Sequence, residues 1–153
     1  MLKFVDTKVV FSEIPDEITL AINISGCPCA CPGCHSSYLL QDVGESLTYN
    51  TLSHLIEINR GITCVLIMGG DSNPEYVDNL SGLVKSFGLK YAWYSGRENI
   101  SDKISIANFD YIKVGPYIEA LGALESKTTN QKMFKILDGN LSDITFLFQK
   151  TIK

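Results

Sequence analysis

Four of the five cysteines fall within eight residues, in the stretch Ser25-Gly26-Cys27-Pro28-Cys29-Ala30-Cys31-Pro32-Gly33-Cys34-His35. Cys27, Cys31 and Cys34 stand at a CxxxCxxC spacing. Three thiolates on one short loop can hold three irons of a four-iron, four-sulfur cluster. The fourth iron is then left without a protein ligand, and an open iron beside a bound small molecule is a place for chemistry. A fully ligated cluster mainly passes electrons.

Soft thiolates also suit zinc, so a structural zinc site built from Cys27, Cys29, Cys31 and Cys34 is the competing reading. Zinc sites usually draw on two separated knuckles. The remaining cysteine, Cys64, instead lies in the apolar run Thr63-Cys64-Val65-Leu66-Ile67-Met68. That run reads as a buried strand, where a free cysteine acts as a small hydrophobe. An odd count and crowded sulfurs argue against a disulfide framework. The spacing therefore favours iron–sulfur over zinc, with Cys29 as a bystander.

The elements that must position these residues alternate along the chain. Ile18 to Ile24 places Ile18, Leu20, Ile22 and Ile24 at period two, a strand that leads directly into the cysteine loop. Thr48 to Arg60 has helical spacing and ends at Gly61, with His54 on it as a surface or half-buried residue. Thr63 to Met68 is the next strand. Asn73-Pro74 predicts an N-cap and first helical turn, followed by a helix through Val77, Leu80, Val84 and Phe87 that stops at Gly88. Strands are predicted for Leu89 to Tyr94, Phe109 to Val114 and Met133 to Leu137. Short helices are predicted for Ile100 to Ile106 and Ser142 to Lys150. Such alternation predicts an α/β fold, a partial (open) β/α barrel with a mostly parallel sheet. Ligands of such sheets gather at the carboxyl ends of the strands. The cysteine loop, Gly69-Gly70-Asp71 and Ser95-Gly96 each follow a strand and so converge on one edge.

With 153 residues, 45% of them hydrophobic, the chain reads as a single domain, residues 1–153, with a real core. Thirteen basic and seventeen acidic residues, net −4, and no basic run predict no nucleic-acid partner. No apolar stretch approaches a membrane span, and the charged N-terminus is unlike a secretory signal. A cytoplasmic, reducing location is expected for the crowded thiols.

Gly69-Gly70-Asp71 has two readings. It can be an ordinary strand-to-helix turn, with glycine permitting positive φ and Asp71 or Asn73 capping the next helix. It can also be a side-chain-free surface on which a ligand lies against exposed C=O and N–H groups. The cysteine loop one βα unit upstream favours the second.

These motifs together resemble the radical S-adenosylmethionine enzymes. Within them the chain is most similar to the activating proteins of anaerobic ribonucleoside-triphosphate reductase. The likeness runs from about Ile18 to Gln131. Its points are Ser25-Gly26-Cys27, Cys31-Pro32-Gly33-Cys34, Gly69-Gly70-Asp71, Trp93-Tyr94-Ser95-Gly96, Gly115-Pro116-Tyr117 and Thr129-Asn130-Gln131. Gly33 stands where many members carry an aromatic residue, and Met68 stands where serine is frequent before the glycines. Lys127-Thr128-Thr129 replaces the usual glycine–serine lead into Asn130-Gln131.

The resemblance implies a [4Fe-4S] cluster on Cys27, Cys31 and Cys34, with S-adenosyl-L-methionine on the open iron. Gly33, Cys34 and His35 would line the adenosyl side, and Gly69, Gly70 and Asp71 would form the other cofactor contacts, with Asp71 either touching the cofactor or orienting the loop. It implies a glycyl-radical protein, anaerobic ribonucleoside-triphosphate reductase, as partner, and a one-electron donor such as flavodoxin. It requires no catalytic acid–base residue, because the cofactor carries the hard chemistry. Asn130 and Gln131 would bind the partner or close the site, or form only a turn. Two other functions fit the motifs: a radical enzyme on a small molecule, like the carboxy-deazaguanine synthases, and a non-catalytic iron–sulfur or zinc protein.

Overall fold

The computed structural model of the chain describes residues 2–25 and 44–149. Among the described residues, eight strands form one sheet in the order β3-β1-β2-β4-β5-β6-β7-β8. They are β1 (Lys3–Val10), β2 (Thr19–Ile24), β3 (Glu45–Ser46), β4 (Cys64–Met68), β5 (Lys90–Tyr94), β6 (Tyr111–Val114), β7 (Lys132–Leu137) and β8 (Asn140–Asp143). The α-helices among the described residues are α1 (Tyr49–Ile58), α2 (Pro74–Asn79) and α3 (Ser81–Ser86). No helix among the described residues is long and apolar enough to cross a membrane.

The predicted open β/α barrel with a mostly parallel sheet is not what forms. Only the central pairings, β2 with β4, β4 with β5 and β5 with β6, are parallel. The outer four pairings are antiparallel: β3 with β1, β1 with β2, β6 with β7 and β7 with β8. The sheet is therefore mixed, and its few helices are short.

Two predicted helices are missing for local reasons. The β5–β6 crossover contains no α-helix, because side-chain oxygens capture its backbone donors. Asp78 Oδ1 accepts from Ser105 N at 3.2 Å and from Asn108 Nδ2 at 3.0 Å, and Ser101 Oγ accepts from Lys103 N at 3.1 Å. The helix predicted over Ile100 to Ile106 is thus absent, and a single 3-10 turn covers Ile106–Asn108. In the second place, Asp138 and Gly139 both hold positive φ, 51° and 76°, as a two-residue hairpin turn demands. That turn folds β8 back on β7 where a helix over Ser142 to Lys150 was expected. A 3-10 turn at Thr145–Phe148 follows it.

Other expectations match the fold closely. Thr48 caps α1 by accepting from Thr51 N at 3.0 Å, and Asn73 caps α2, with Pro74 at its first turn. The helix predicted through Val77 to Phe87 is divided at Leu80, whose dihedrals stay in the α region (φ −67°, ψ −17°). Strand β1 was not foreseen. Its register shifts between Phe4 and Asp6, so no clean period of two marks it.

The central strands are buried on both faces. Leu20, Ile22, Ile24, Val65, Ile67, Tyr91, Trp93 and Ile112 pack with Leu52, Val77, Leu80 and Val84 on the helical side. Ala21, Cys64, Leu66, Ala92, Tyr111 and Met133 pack with Ile14, Leu124 and Ile144 on the other. Near-continuous apolar runs such as Cys64–Met68 are what two covered faces require.

Candidate functional site

Because β2, β4, β5 and β6 run in one direction, their carboxyl ends share an edge of the sheet. The chain leaves that edge at Ser25, Gly69, Ser95 and Gly115. β7 runs the opposite way, so its start, at Asn130-Gln131, arrives at the same edge. The cysteine stretch follows Ser25 in sequence. Cys27, Cys29, Cys31, Gly33, Cys34 and His35 all lie outside the described residues.

Gly69, Gly70 and Asp71 are described, and each has a packing role. Gly69 and Gly70 hold φ of 101° and 90°, which side chains rarely adopt. A Cβ on Gly69 would stand 3.2 Å from the Ile24 carbonyl oxygen, so this turn packs on the end of β2. A Cβ on Gly70 would stand 2.8 Å from Val77 Cγ2 and 3.2 Å from Leu2 Cδ1. The fold therefore needs both glycines on internal grounds. Their carbonyls are engaged as well: Gly69 O accepts the Trp93 indole at 2.6 Å, and Gly70 O accepts Asn73 N at 3.0 Å.

Asp71 is buried, and its two carboxylate oxygens reach across to the next turn. Oδ1 accepts the Ser95 hydroxyl at 2.5 Å, and Oδ2 accepts Gly96 N at 2.9 Å. The bonding continues from strand to strand. Arg97 N donates to Ser95 Oγ at 3.1 Å, Gly115 N donates to Arg97 O at 2.6 Å, and Ser95 N donates to Lys113 O at 2.8 Å. Gln131 Nε2 donates to Gly115 O at 3.3 Å, and Asn130 Nδ2 donates to Pro116 O at 3.0 Å. Backbone and side chains thus stitch together the turns after β4, β5 and β6 and the start of β7. Gln131 packs so tightly there that a Cβ on Gly115 would come within 2.9 Å of its Cα.

Sequence reasoning placed Asp71, Ser95 and Gly96 on one edge but not in one hydrogen-bonded cluster. The signal was present only as two acceptor-rich and donor-rich turns after adjacent strands. It likewise named Gly115-Pro116 and Asn130-Gln131 as separate motifs without their hydrogen bonds to each other. The remaining residues singled out lie elsewhere. His54 is exposed on α1. Cys64 is buried at the opposite, amino end of β4, and burial, reinforced by Glu17, pushes its thiol from 9.0 up to about 12. Such a thiol stays protonated and inert. Burial also raises the phenols of Tyr91 and Tyr94. The Tyr91 hydroxyl donates to Val77 O at 2.6 Å, and that of Tyr94 donates to Glu13 O.

Among the described residues, no group of three His, Cys, Asp or Glu side chains gathers closely enough to hold a metal ion. Comparisons of the chain with protein-family models, with curated proteins and with solved structures returned no match.

Proposed function

We propose that the chain is a radical S-adenosylmethionine activase, an oxidoreductase that generates a glycyl radical on an anaerobic ribonucleoside-triphosphate reductase. One observation carries the reading. The CxxxCxxC stretch follows β2 in sequence, and the parallel neighbour β4 ends in a glycine turn that packs on the last residue of β2. The soft donor triad thus follows, in sequence, a strand whose carboxyl end shares its edge with a backbone-rich turn, and ligands of α/β sheets collect at such edges.

The donor set fits the implied group. Three thiolates suit an iron–sulfur cluster with one iron open, and Cys27, Cys31 and Cys34 would hold it. Gly33, His35 and the backbone of Gly70 would meet S-adenosyl-L-methionine. The Gly70 carbonyl accepts one internal bond, and a carbonyl oxygen has two lone pairs, so an amino group is within its capacity. When bound, cluster and cofactor supply one-electron reductive cleavage of a carbon–sulfur bond and, from it, removal of a hydrogen atom from a glycine Cα. The electron comes from a donor of the flavodoxin class. The chain's own part is to position: the hydrogen-bonded turns hold the edge rigid, and the reading assigns no acid–base role to any side chain. It places the protein in the cytoplasm, where thiolates stay reduced.

Anaerobic reconstitution with iron and sulfide, then addition of reductant and S-adenosyl-L-methionine, tests this. The expected result is visible thiolate-to-iron absorbance and release of 5′-deoxyadenosine, followed by a glycyl-radical signal on added reductase. A protein that keeps zinc on four thiolates and releases no nucleoside overturns the proposal. Nucleoside release with no signal on the reductase transfers it to a small-molecule substrate.

A further inference from the structure

We infer that Asp71 is a positioning residue: it acts through Ser95 and Gly96 to lock the turn after β5 against the turn after β4. A ligand at the carboxyl edge then meets both turns as one preformed surface. This inference rests on the proposed function for the identity of the ligand, but its physical basis is independent of it.

The geometry assigns the role to the carboxylate rather than to the backbone of Asp71. A carboxylate accepts at both oxygens, and here the two oxygens take donors from consecutive residues, Ser95 Oγ and Gly96 N. Asp71 and Ser95 are 5% and 2% exposed, so these bonds are shielded from water. Charge-assisted bonds in such surroundings are stronger than neutral ones. Ser95 passes the constraint on. Its hydroxyl oxygen accepts from Arg97 N while its proton goes to Asp71, and the Arg97 carbonyl accepts from Gly115 N on the following turn. One buried carboxylate therefore governs the register of three turns. Gly96 carries no side chain, so the amide held by Asp71 lies in backbone that a ligand can approach closely.

An asparagine at position 71 can replace only part of this. Its oxygen can keep the Gly96 amide, but its nitrogen then faces the Ser95 hydroxyl as a donor. The Ser95 proton loses its acceptor, and the link to the turn after β5 is weakened without a change in volume.

The test uses the reconstituted full chain, with Asp71→Asn, Ser95→Ala, the double variant and Ser95→Thr. Three quantities are read for each: iron and sulfide content, the dissociation constant for S-adenosyl-L-methionine, and hydrogen exchange at the Gly96 and Arg97 amides. Asp71→Asn and Ser95→Ala should each weaken cofactor binding on the order of tenfold, the size expected for one charge-assisted bond. Cluster content should stay at the wild-type level. The double variant should be little worse than either single one, because both break the same link. Ser95→Thr, which keeps the hydroxyl, should restore binding. Loss of binding in Asp71→Asn with full binding in Ser95→Ala overturns the inference, since Asp71 would then touch the ligand itself. Exchange decides the matter even if the wild type binds no S-adenosyl-L-methionine, a result that sinks the proposed function alone. Faster exchange at Gly96 and Arg97 in both single variants upholds the lock, and unchanged exchange refutes it.

Discussion

The indole nitrogen of Trp93 donates to the carbonyl of Gly69 at 2.6 Å, tying the end of β5 to the first residue beyond β4. Trp93 is almost fully buried and stacks on Phe109, with ring centroids 6.0 Å apart. The side chain thus anchors the glycine turn from beneath while filling the helical side of the core. Trp93→Phe keeps the aromatic packing but strands the Gly69 carbonyl and leaves a small void. The expected loss is about 1–3 kcal/mol, the sum of a half-buried acceptor left without this partner and a partial cavity. Urea unfolding followed by far-ultraviolet circular dichroism checks it, and a loss below about 0.5 kcal/mol would show the bond to be unimportant.

Gly70 and Gly61 separate two reasons for glycine. Both hold positive φ, but a Cβ on Gly61 meets open space, whereas one on Gly70 meets Val77 and Leu2. Gly61→Ala should cost about 1–2 kcal/mol, the backbone term alone. Gly70→Ala adds overpacking of about 1–3 kcal/mol. Equal destabilisation of the two variants in denaturant would contradict the close packing of the turn.

Cys27→Ala, Cys31→Ala and Cys34→Ala should each abolish 5′-deoxyadenosine formation, while Cys29→Ala retains most of it. Iron content should fall in the first three and hold in the fourth. Equal loss in Cys29→Ala would mean that four thiolates share the metal, as zinc prefers.

Cys64 makes stability depend on alkaline pH. Its thiol titrates near 9.0 when unfolded and is pushed up to about 12 in the fold by burial, with Glu17 adding to the effect. Between those values the unfolded chain releases a proton that the folded chain keeps. Stability therefore falls as pH rises through this window, by at most about 1.4 kcal/mol per pH unit. The buried phenols of Tyr91 and Tyr94 act in the same direction, so the cysteine's share must be isolated. Unfolding free energies of wild type and Cys64→Val, compared at about pH 8 and about pH 10, give that share. The substitution should reduce the pH dependence; an identical slope in both proteins would place the thiol in water.

Much of the fold was legible because local chemistry writes it down. Asn73-Pro74 announces the start of α2, and Thr48 announces that of α1. The run Cys64–Met68 marks a strand covered on both faces. The turn residues after β4 and β5 could be assigned to one edge because successive strands with a helix between them pair in parallel. The misreadings came where side chains compete with the backbone. Asp78 and Ser101 draw donors out of the predicted helix before β6, and Asp143 holds the Thr145 amide and hydroxyl at the start of the predicted last helix.

By itself the sequence determined the thiolate spacing, the existence of the central strands and the turn chemistry that follows each. The direction of pairing in the outer strands was decided only in three dimensions, because a period of two is the same for parallel and antiparallel neighbours. So was the meeting of Asp71 with Ser95, 24 residues apart. No local pattern encodes that contact: it arises when adjacent strands in register bring two turns within hydrogen-bond reach, and burial then makes the bond hold.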